Sequence, residues 1–228
     1  MGFIRIKMKT AIIFGSSGLI GTHLFNIILQ NNNYDKIKLF GRSNLLINNL
    51  KAESYKLDFN DLDNYKNLIK GNDCFFCIGT TKKDSPDKVE YRRIEYNIPT
   101  EIAKIAKSNS IESFFYVSSG GANYNSSNSY LKNKGQVEKE LIKLNFKKLS
   151  IIRPSLLLGK RKNFRLGERI AQIIISKLPF LFLGNLKKYK PIKAEDVAKA
   201  MVYIAQNNFK EIFFESNKLE EINKEYKL

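Results

Sequence analysis

Two residues one helical turn apart carry the first chemical hint. In "YLKNKGQVEKEL" (130–141), Tyr130 precedes Lys134 by four positions, so both side chains leave the same face of a helix. A phenol ionises at about pH 10, too high for ready proton exchange at neutral pH, and a neighbouring ammonium stabilises the phenolate and lowers that value. The same spacing also suits a solvated, charged helix face. The pair reads as an acid/base with its tuning cation, or as ordinary surface, and the rest of the chain must separate the two.

A second constellation lies near the start. "IIFGSSGLIGTHL" sets Gly15, Gly18 and Gly21 where a first strand turns into a first helix. That junction needs a tight turn, a backbone that lies close to a pyrophosphate, and a helix packed tightly on its strand; the helix N-terminal amides then face phosphate. The spacing is G-x-x-G-x-x-G instead of the commoner G-x-G-x-x-G, and its placement in a βαβ unit gives it force. The loop residues Gly15, Ser16, Ser17, Gly18, Leu19, Ile20 and Gly21 are the expected phosphate cradle, with a purely structural glycine turn as the competing reading.

At the end of the second strand an Asp or Glu would bind the ribose 2′-hydroxyl of NAD. The chain reads "LFGRSN" there. Arg42 can pair with a 2′-phosphate through charge-assisted bonds, and Ser43 adds a hydroxyl, so NADP(H) is the expected cofactor, with a solvated surface arginine as the competing reading. Asp58, after the third strand, is placed to meet the adenine amino group or to cap a following helix. Gly79 in "CIGTT" lets backbone lie close to the cofactor ribose, or is a simple turn glycine.

These residues need a scaffold. Apolar runs at 9–15, 36–42, 54–58, 74–79, 113–121 and 149–155 read as strands. Between them lie helical patterns: Leu19, Ile20, Leu24, Ile27 and Ile28, then 61–71 with an acidic start and a glycine stop, 87–108, and the helix from Tyr130. Alternating strands and helices imply crossovers and a doubly wound parallel sheet covered on both faces, an α/β fold. After residue 156 the rhythm breaks: a basic loop, a helix at 194–206 and a late strand in "EIFFES". The expectation is one domain over 1–228, with 156–228 contributing a small C-terminal, substrate-side lobe.

Bulk properties narrow the class. The 228 residues carry 39 basic and 22 acidic side chains, a net charge of +17. Such a charge can mark a nucleic-acid or membrane partner. The lysines are spread along the chain without a run of five or six, however, and abundant Lys, Asn and Ile fit AT-rich coding. No nucleic-acid recognition motif is present, so such a partner is not expected. Cys74 and Cys77 form C-x-x-C in "DCFFCIG", but residues three apart on a strand face opposite ways and no second Cys/His pair completes a metal site; they read as core thiols. No secretory leader is evident, Met8 could be the natural start, and the apolar run 173–184 is broken by Lys177 and Pro179 and too short to span a bilayer. A soluble, cytoplasmic protein is the expectation.

Taken in order, "GSSGLIG", "FGRS", "CIGTT", "YVSSGGA", "YLKNKG" and "IIRPSLLLG" resemble the short-chain dehydrogenase/reductase superfamily, in particular its atypical branch near the Tat-interacting-protein-like NAD(P)H-binding oxidoreductases. The likeness covers about residues 9–165, with 191–201 also similar. It implies a Rossmann-like fold and a Ser-Tyr-Lys site. Tyr130 would then protonate a carbonyl oxygen as hydride arrives, or deprotonate an alcohol in reverse, and Lys134 would also bond the nicotinamide ribose. Ser118 and Ser119 both stand at the end of the fifth strand; Ser119 matches similar serine pairs as the residue polarising the carbonyl. The likeness further places Leu157 near the nicotinamide ring and puts Asn97 where relatives carry a relay asparagine, although a capping or kink-related role beside Pro99 explains Asn97 equally well; Arg165, in the basic loop that follows, reads as a ligand of the cofactor's phosphate end or equally as a surface residue. His23, the only histidine, reads as a packing or surface residue.

The expected activity is an NADP(H)-dependent oxidoreductase acting on a small-molecule carbonyl or alcohol, with a non-catalytic NADP(H)-binding regulator as the rival from another class. Nothing in 156–190 names a substrate. A homodimer is compatible with the fold but not indicated by any one residue.

Overall fold

The computed structural model describes residues 8–159 and 184–226. Seven parallel strands form one sheet in the order β3-β2-β1-β4-β5-β6-β9. They are β1 (Lys9–Phe14), β2 (Tyr34–Gly41), β3 (Ala52–Lys56), β4 (Asp73–Phe76), β5 (Ser113–Val117), β6 (Lys148–Arg153) and β9 (Phe213–Glu215). The helices are α1 (Leu19–Gln30), α2 (Lys88–Arg92), α3 (Ile98–Ser108), α4 (Ser129–Lys143), α5 (Ala194–Gln206) and α6 (Ser216–Glu225). This is a Rossmann-like, doubly wound α/β fold, as the alternation of strand and helix patterns requires.

Neighbouring residues on each central strand feed opposite cores. Ala11, Ile13, Phe75, Phe115 and Ile152 pack with α1, α5 and α6, while Ile12, Phe14, Cys74, Phe76, Phe114 and Ile151 pack with α3 and α4. The two cysteines part in the same way, Cys74 into the second core and Cys77 against the first. On the α3/α4 side one row of aromatic rings crosses five strands. It runs Tyr55–Phe40–Phe14–Phe76–Tyr116, with centroids 5.0, 5.1, 5.8 and 6.1 Å apart.

In the C-terminal region, β9 pairs with β6 from Ile151↔Phe213 to Arg153↔Glu215, and α5 lies in the first core beside α1. β7 (Leu157–Leu158) and β8 (Ile192–Lys193) form a separate two-stranded parallel ribbon. The expected Arg165, the basic loop around it and most of the apolar run 173–184 fall outside the described residues.

Two expected helices differ. Residues 61–71 make only a 3-10 turn, Leu62–Tyr65. Asp61 does not cap it; its carboxylate bonds the Asn64 amide instead. The Lys66 carbonyl, which a helix would use, is taken from outside by Asn109 Nδ2 (2.6 Å), and the carbonyls of Ile69 and Leu68 accept from Asn109 Nδ2 (2.7 Å) and Lys38 Nζ (3.0 Å). The long helix over 87–108 is interrupted by a π turn, Arg93–Asn97, directly before α3. Pro99 has no N–H to give to the carbonyl four residues back, and a widened turn is one way a helix absorbs that loss. The turn brings Glu95 inward, to 1% exposure.

Candidate active site

The glycine loop closes as the spacing demands. Gly15 sits at φ +83°, a conformation other residues rarely take, and its amide donates to Phe40 O (3.2 Å) while its carbonyl accepts from Gly18 N (3.0 Å). A Cβ on Gly21 would lie 2.1 Å from Gly15 O and 2.8 Å from Gly15 C, so α1 approaches the loop as only glycine permits. Gly18 caps α1 without any side-chain bond, and the first turn holds no acid. Ser16 is buried, Ser17 exposed, and Leu19 half-buried against Gly159, whose Cβ would come within 2.7 Å of the leucine side chain. An uncapped helix start behind a glycine turn is a ready seat for a pyrophosphate. The residues present fit a nicotinamide dinucleotide.

That loop stands at the carboxyl end of β1, between β2 and β4, where the strand order reverses. Ligands of open α/β sheets bind at this crevice. A hollow of about 480 Å³ lies instead at the opposite edge of the sheet, among Lys9, Glu112, Lys148 and Ile212. Lys148 is spent there on the carbonyls of Ile204, Ala205 and Asn207 at the end of α5. Site chemistry belongs to the other edge.

Lys134 lies at the carboxyl ends of β4 and β5, beside Gly79 and Val117. Asn128 caps α4 by accepting from Tyr130 N (2.9 Å) and Leu131 N (3.3 Å), which starts the helix that carries Tyr130 and Lys134. Tyr130 is half-buried. Lys134 is not a solvated residue: it is 3% exposed and its Nζ donates to Val117 O at 3.1 Å. The ammonium lies 4.9 Å from the centre of the Tyr116 ring, the last of the aromatic row, and 5.9 Å from that of Tyr130. Burial by itself would lower the Lys134 pKa, but Glu95, Tyr116 and Tyr130 together hold it well above the ordinary lysine value. Lys134 is therefore no part of a solvated helix face, while Tyr130 keeps partial access to solvent.

Glu95 was not legible as a site residue. Its Oε2 is 3.1 Å from Lys134 Nζ, and its Oε1 accepts from Thr80 N at 2.5 Å. A Cβ on Gly79 would stand 3.4 Å from Glu95 Oε1 and 3.9 Å from Lys134 Nζ, so the strand-end glycine faces the charged pair. Asn97, two residues on, is exposed and its side chain makes no hydrogen bond among the described residues. Only the π turn could have shown that the acid in "RRIEYN" points inward, and propensity does not announce such a turn.

The two serines are separated by their partners. Ser118 Oγ donates to Glu138 Oε1 at 2.5 Å, and Glu138 is gripped by Arg153 through Nε (2.9 Å) and Nη2 (2.5 Å). Ser119 is half-buried, and its hydroxyl makes only a long 3.3 Å bond to Gly120 O. Cys77, near Lys134, is pushed up to about 12 by burial, which outweighs the ammonium, so it is an inert thiol at neutral pH.

Arg42 and Ser43 are exposed just past β2; Glu90 is held below its ordinary carboxylate value chiefly by its hydrogen bonds from Arg93, with the Arg42 charge a smaller contributor. Asp58 is exposed and spends Oδ1 on the Asn60 amide groups (2.9 and 3.0 Å), holding a turn where helix capping was the alternative. Leu157, in β7, is half-buried.

A Rossmann-like sheet with a glycine loop at its switch point defines a dinucleotide-binding protein. The NAD dependent epimerase/dehydratase family matches residues 11–213, and the chain belongs to that family, within the short-chain dehydrogenase/reductase superfamily. It is 34% identical over 203 residues to "Protein FMP52, mitochondrial" of Debaryomyces hansenii, covering 86% of this chain and 87% of that one. It is 34% identical over 181 residues to "Protein HTATIP2" of Rattus norvegicus, covering 77% and 74%. Among solved structures, the Bordetella bronchiseptica enzyme WbmH in complex with NAD+ shares the fold, with a TM-score of 0.70 at 17% identity over 92% of this chain and 76% of that one. The expected cytoplasmic location is corrected by these relatives: the FMP52 proteins of three yeasts are named mitochondrial.

No described helix is long and apolar enough to cross a membrane, and no group of three or more possible metal ligands occurs among the described residues.

Proposed function

We propose that this protein is an NADP(H)-dependent oxidoreductase that moves a hydride to or from a small-molecule carbonyl or alcohol. The observation that carries the reading is the charged, buried Lys134 on the same helix face as Tyr130, at the crevice edge of the glycine loop. Solvated surface pairs are not built this way. Tyr130 exchanges the proton at the substrate oxygen, and Lys134 supplies the positive field that favours its phenolate. Ser119, with no strong partner of its own, donates to the same oxygen and favours charge developing there. The dinucleotide, when bound, supplies or accepts the hydride. The residues 15–21 hold its phosphates, Gly79 and Lys134 flank its nicotinamide ribose, Leu157 lies toward the ring, Asp58 toward adenine, and Arg42 with Ser43 takes a 2′-phosphate.

The experiment is a calorimetric titration with NADPH and NADH at fixed ionic strength, followed by a carbonyl-substrate screen on wild type and Tyr130→Phe. Tight NADPH binding and turnover that vanishes in Tyr130→Phe with cofactor affinity retained is the expected result. A fully active Tyr130→Phe removes the phenol from the chemistry. NADPH binding without turnover of any carbonyl would make the protein a binding module instead.

A further inference from the structure

We infer that Glu95 is a positioning residue of this site: one buried carboxylate anchors both the Lys134 ammonium and the strand-end amide of Thr80, and so sets the cation and the Gly79–Thr80 backbone in register against the dinucleotide. The inference rests on the proposed function for its meaning, but its geometry stands alone. Glu95 reaches the site only through the π turn at Arg93–Asn97. Its two oxygens divide the work, Oε1 on Thr80 N at 2.5 Å and Oε2 facing Lys134 Nζ at 3.1 Å. Oε2 is a close ionic neighbour of Nζ, and among the described residues it has no other partner. A buried carboxylate costs free energy unless it is paired, and here its two oxygens are committed to two groups that both line the crevice.

The task follows from the surroundings of Lys134. The groups facing it are Glu95 from the π turn, Tyr91 from α2, Tyr116 from β5, Tyr130 from its own helix and Cys77 at the end of β4. Glu95 is the one carboxylate among them. Without it, burial would drive Lys134 toward the neutral amine, and a neutral amine exerts no field on Tyr130. Arg92 steadies the contact between these elements from the rim, donating to Asn133 Oδ1 (3.1 Å) and Gln136 Oε1 (2.9 Å) on α4.

The test reads the lysine directly, with neither cofactor nor substrate present. Protein labelled with [13Cε]lysine is titrated by NMR, and the Lys134 resonance is identified by its loss in Lys134→Met. In wild type the resonance stays in its charged position beyond pH 10. In Glu95→Gln, which keeps the shape and removes the charge, its midpoint falls by one pH unit or more, a tenfold or greater loss of proton affinity. Glu95→Asp restores the high midpoint at least partly. In carbonyl reduction Glu95→Gln lowers kcat about tenfold to a hundredfold with little change in KM. An unchanged Lys134 titration in Glu95→Gln overturns the inference. Should Glu95→Gln fail to fold, Glu95→Gln/Lys134→Met is expected to fold again, because it removes the stranded cation; a double variant equally unfolded overturns the inference as well. Failure of the oxidoreductase reading shows elsewhere, as wild type that turns over no carbonyl or alcohol, and leaves the lysine titration untouched.

Discussion

Gly135→Ala pits local propensity against tertiary packing. Gly135 lies inside α4, where alanine is favoured over glycine by about 1 kcal/mol. Taken alone, the helix should gain. In the folded chain a Cβ at this position would be 2.3 Å from Tyr124 N, 2.4 Å from Asn123 C and 2.8 Å from Asn123 Cα. Unstrained heavy atoms meet at about 3.5 Å, so helix and loop must separate by about 1 Å. The neighbour is backbone and cannot swing aside; it is fastened to the same helix by Asn123 N to Leu131 O at 3.1 Å. Overpacking of about 1–3 kcal/mol and a threatened hydrogen bond worth about 1 kcal/mol outweigh the propensity gain, leaving a net loss of about 1–3 kcal/mol. Urea unfolding followed by circular dichroism measures it as a lower midpoint at unchanged slope. The displaced helix carries Tyr130 and Lys134 while the loop leads back to Ser119, so turnover should fall by up to about 100-fold, the effect of a 1 Å misplacement. A midpoint equal to or above wild type would refute the argument, for it would mean that the loop yields freely.

Ser118→Ala should cost about 1.5–3 kcal/mol of stability by removing a hydrogen bond to the Glu138 carboxylate, with catalysis nearly unchanged. Ser119→Ala should leave stability within about 0.5 kcal/mol and lower kcat about 10²–10³-fold; unfolding curves and steady-state kinetics on both variants check the assignment, and the reverse pattern would exchange the two serines. Arg42→Asp should weaken NADPH binding about tenfold or more and favour NADH, read by calorimetry; unchanged NADPH affinity would take the arginine out of cofactor selection. Stability should fall as pH rises above about 8.5–10, because buried Cys74, Tyr34 and Tyr116 hold their protons in the folded state well past the pH at which the unfolded groups lose them. Lys134 adds to the loss with the same sign, its raised pKa giving stability that is complete below about pH 10.4 and disappears as pH passes the folded value. A urea midpoint that is flat or rising from pH 9 to pH 11 would contradict this.

Much of the fold could be read along the chain because its signals are local. Short, β-rich apolar runs such as "AIIF" and "SFFYV", alternating with helical patterns, suit parallel strands buried on both faces, and Gly15, Gly18 and Gly21 answer to one turn and the helix that follows it. Where the reading failed, distant groups had intervened. The segment 61–71 has a helix's pattern, yet Lys38 and Asn109 claim its carbonyls.

The site divides in the same way. Tyr130 and Lys134 share a face because an α-helix repeats every 3.6 residues, and that much is already contained in their spacing. Whether the lysine is solvated or buried, which of Ser118 and Ser119 is left free, and which residue answers the lysine's charge all depend on pieces of chain brought together from afar. Glu95 and Lys134 are 39 positions apart and become 3.1 Å neighbours only when the π turn and α4 pack over the ends of β4 and β5. Sequence spacing carries the geometry within an element; the dielectric around a charge, and hence its chemistry, is created only when the elements close around it.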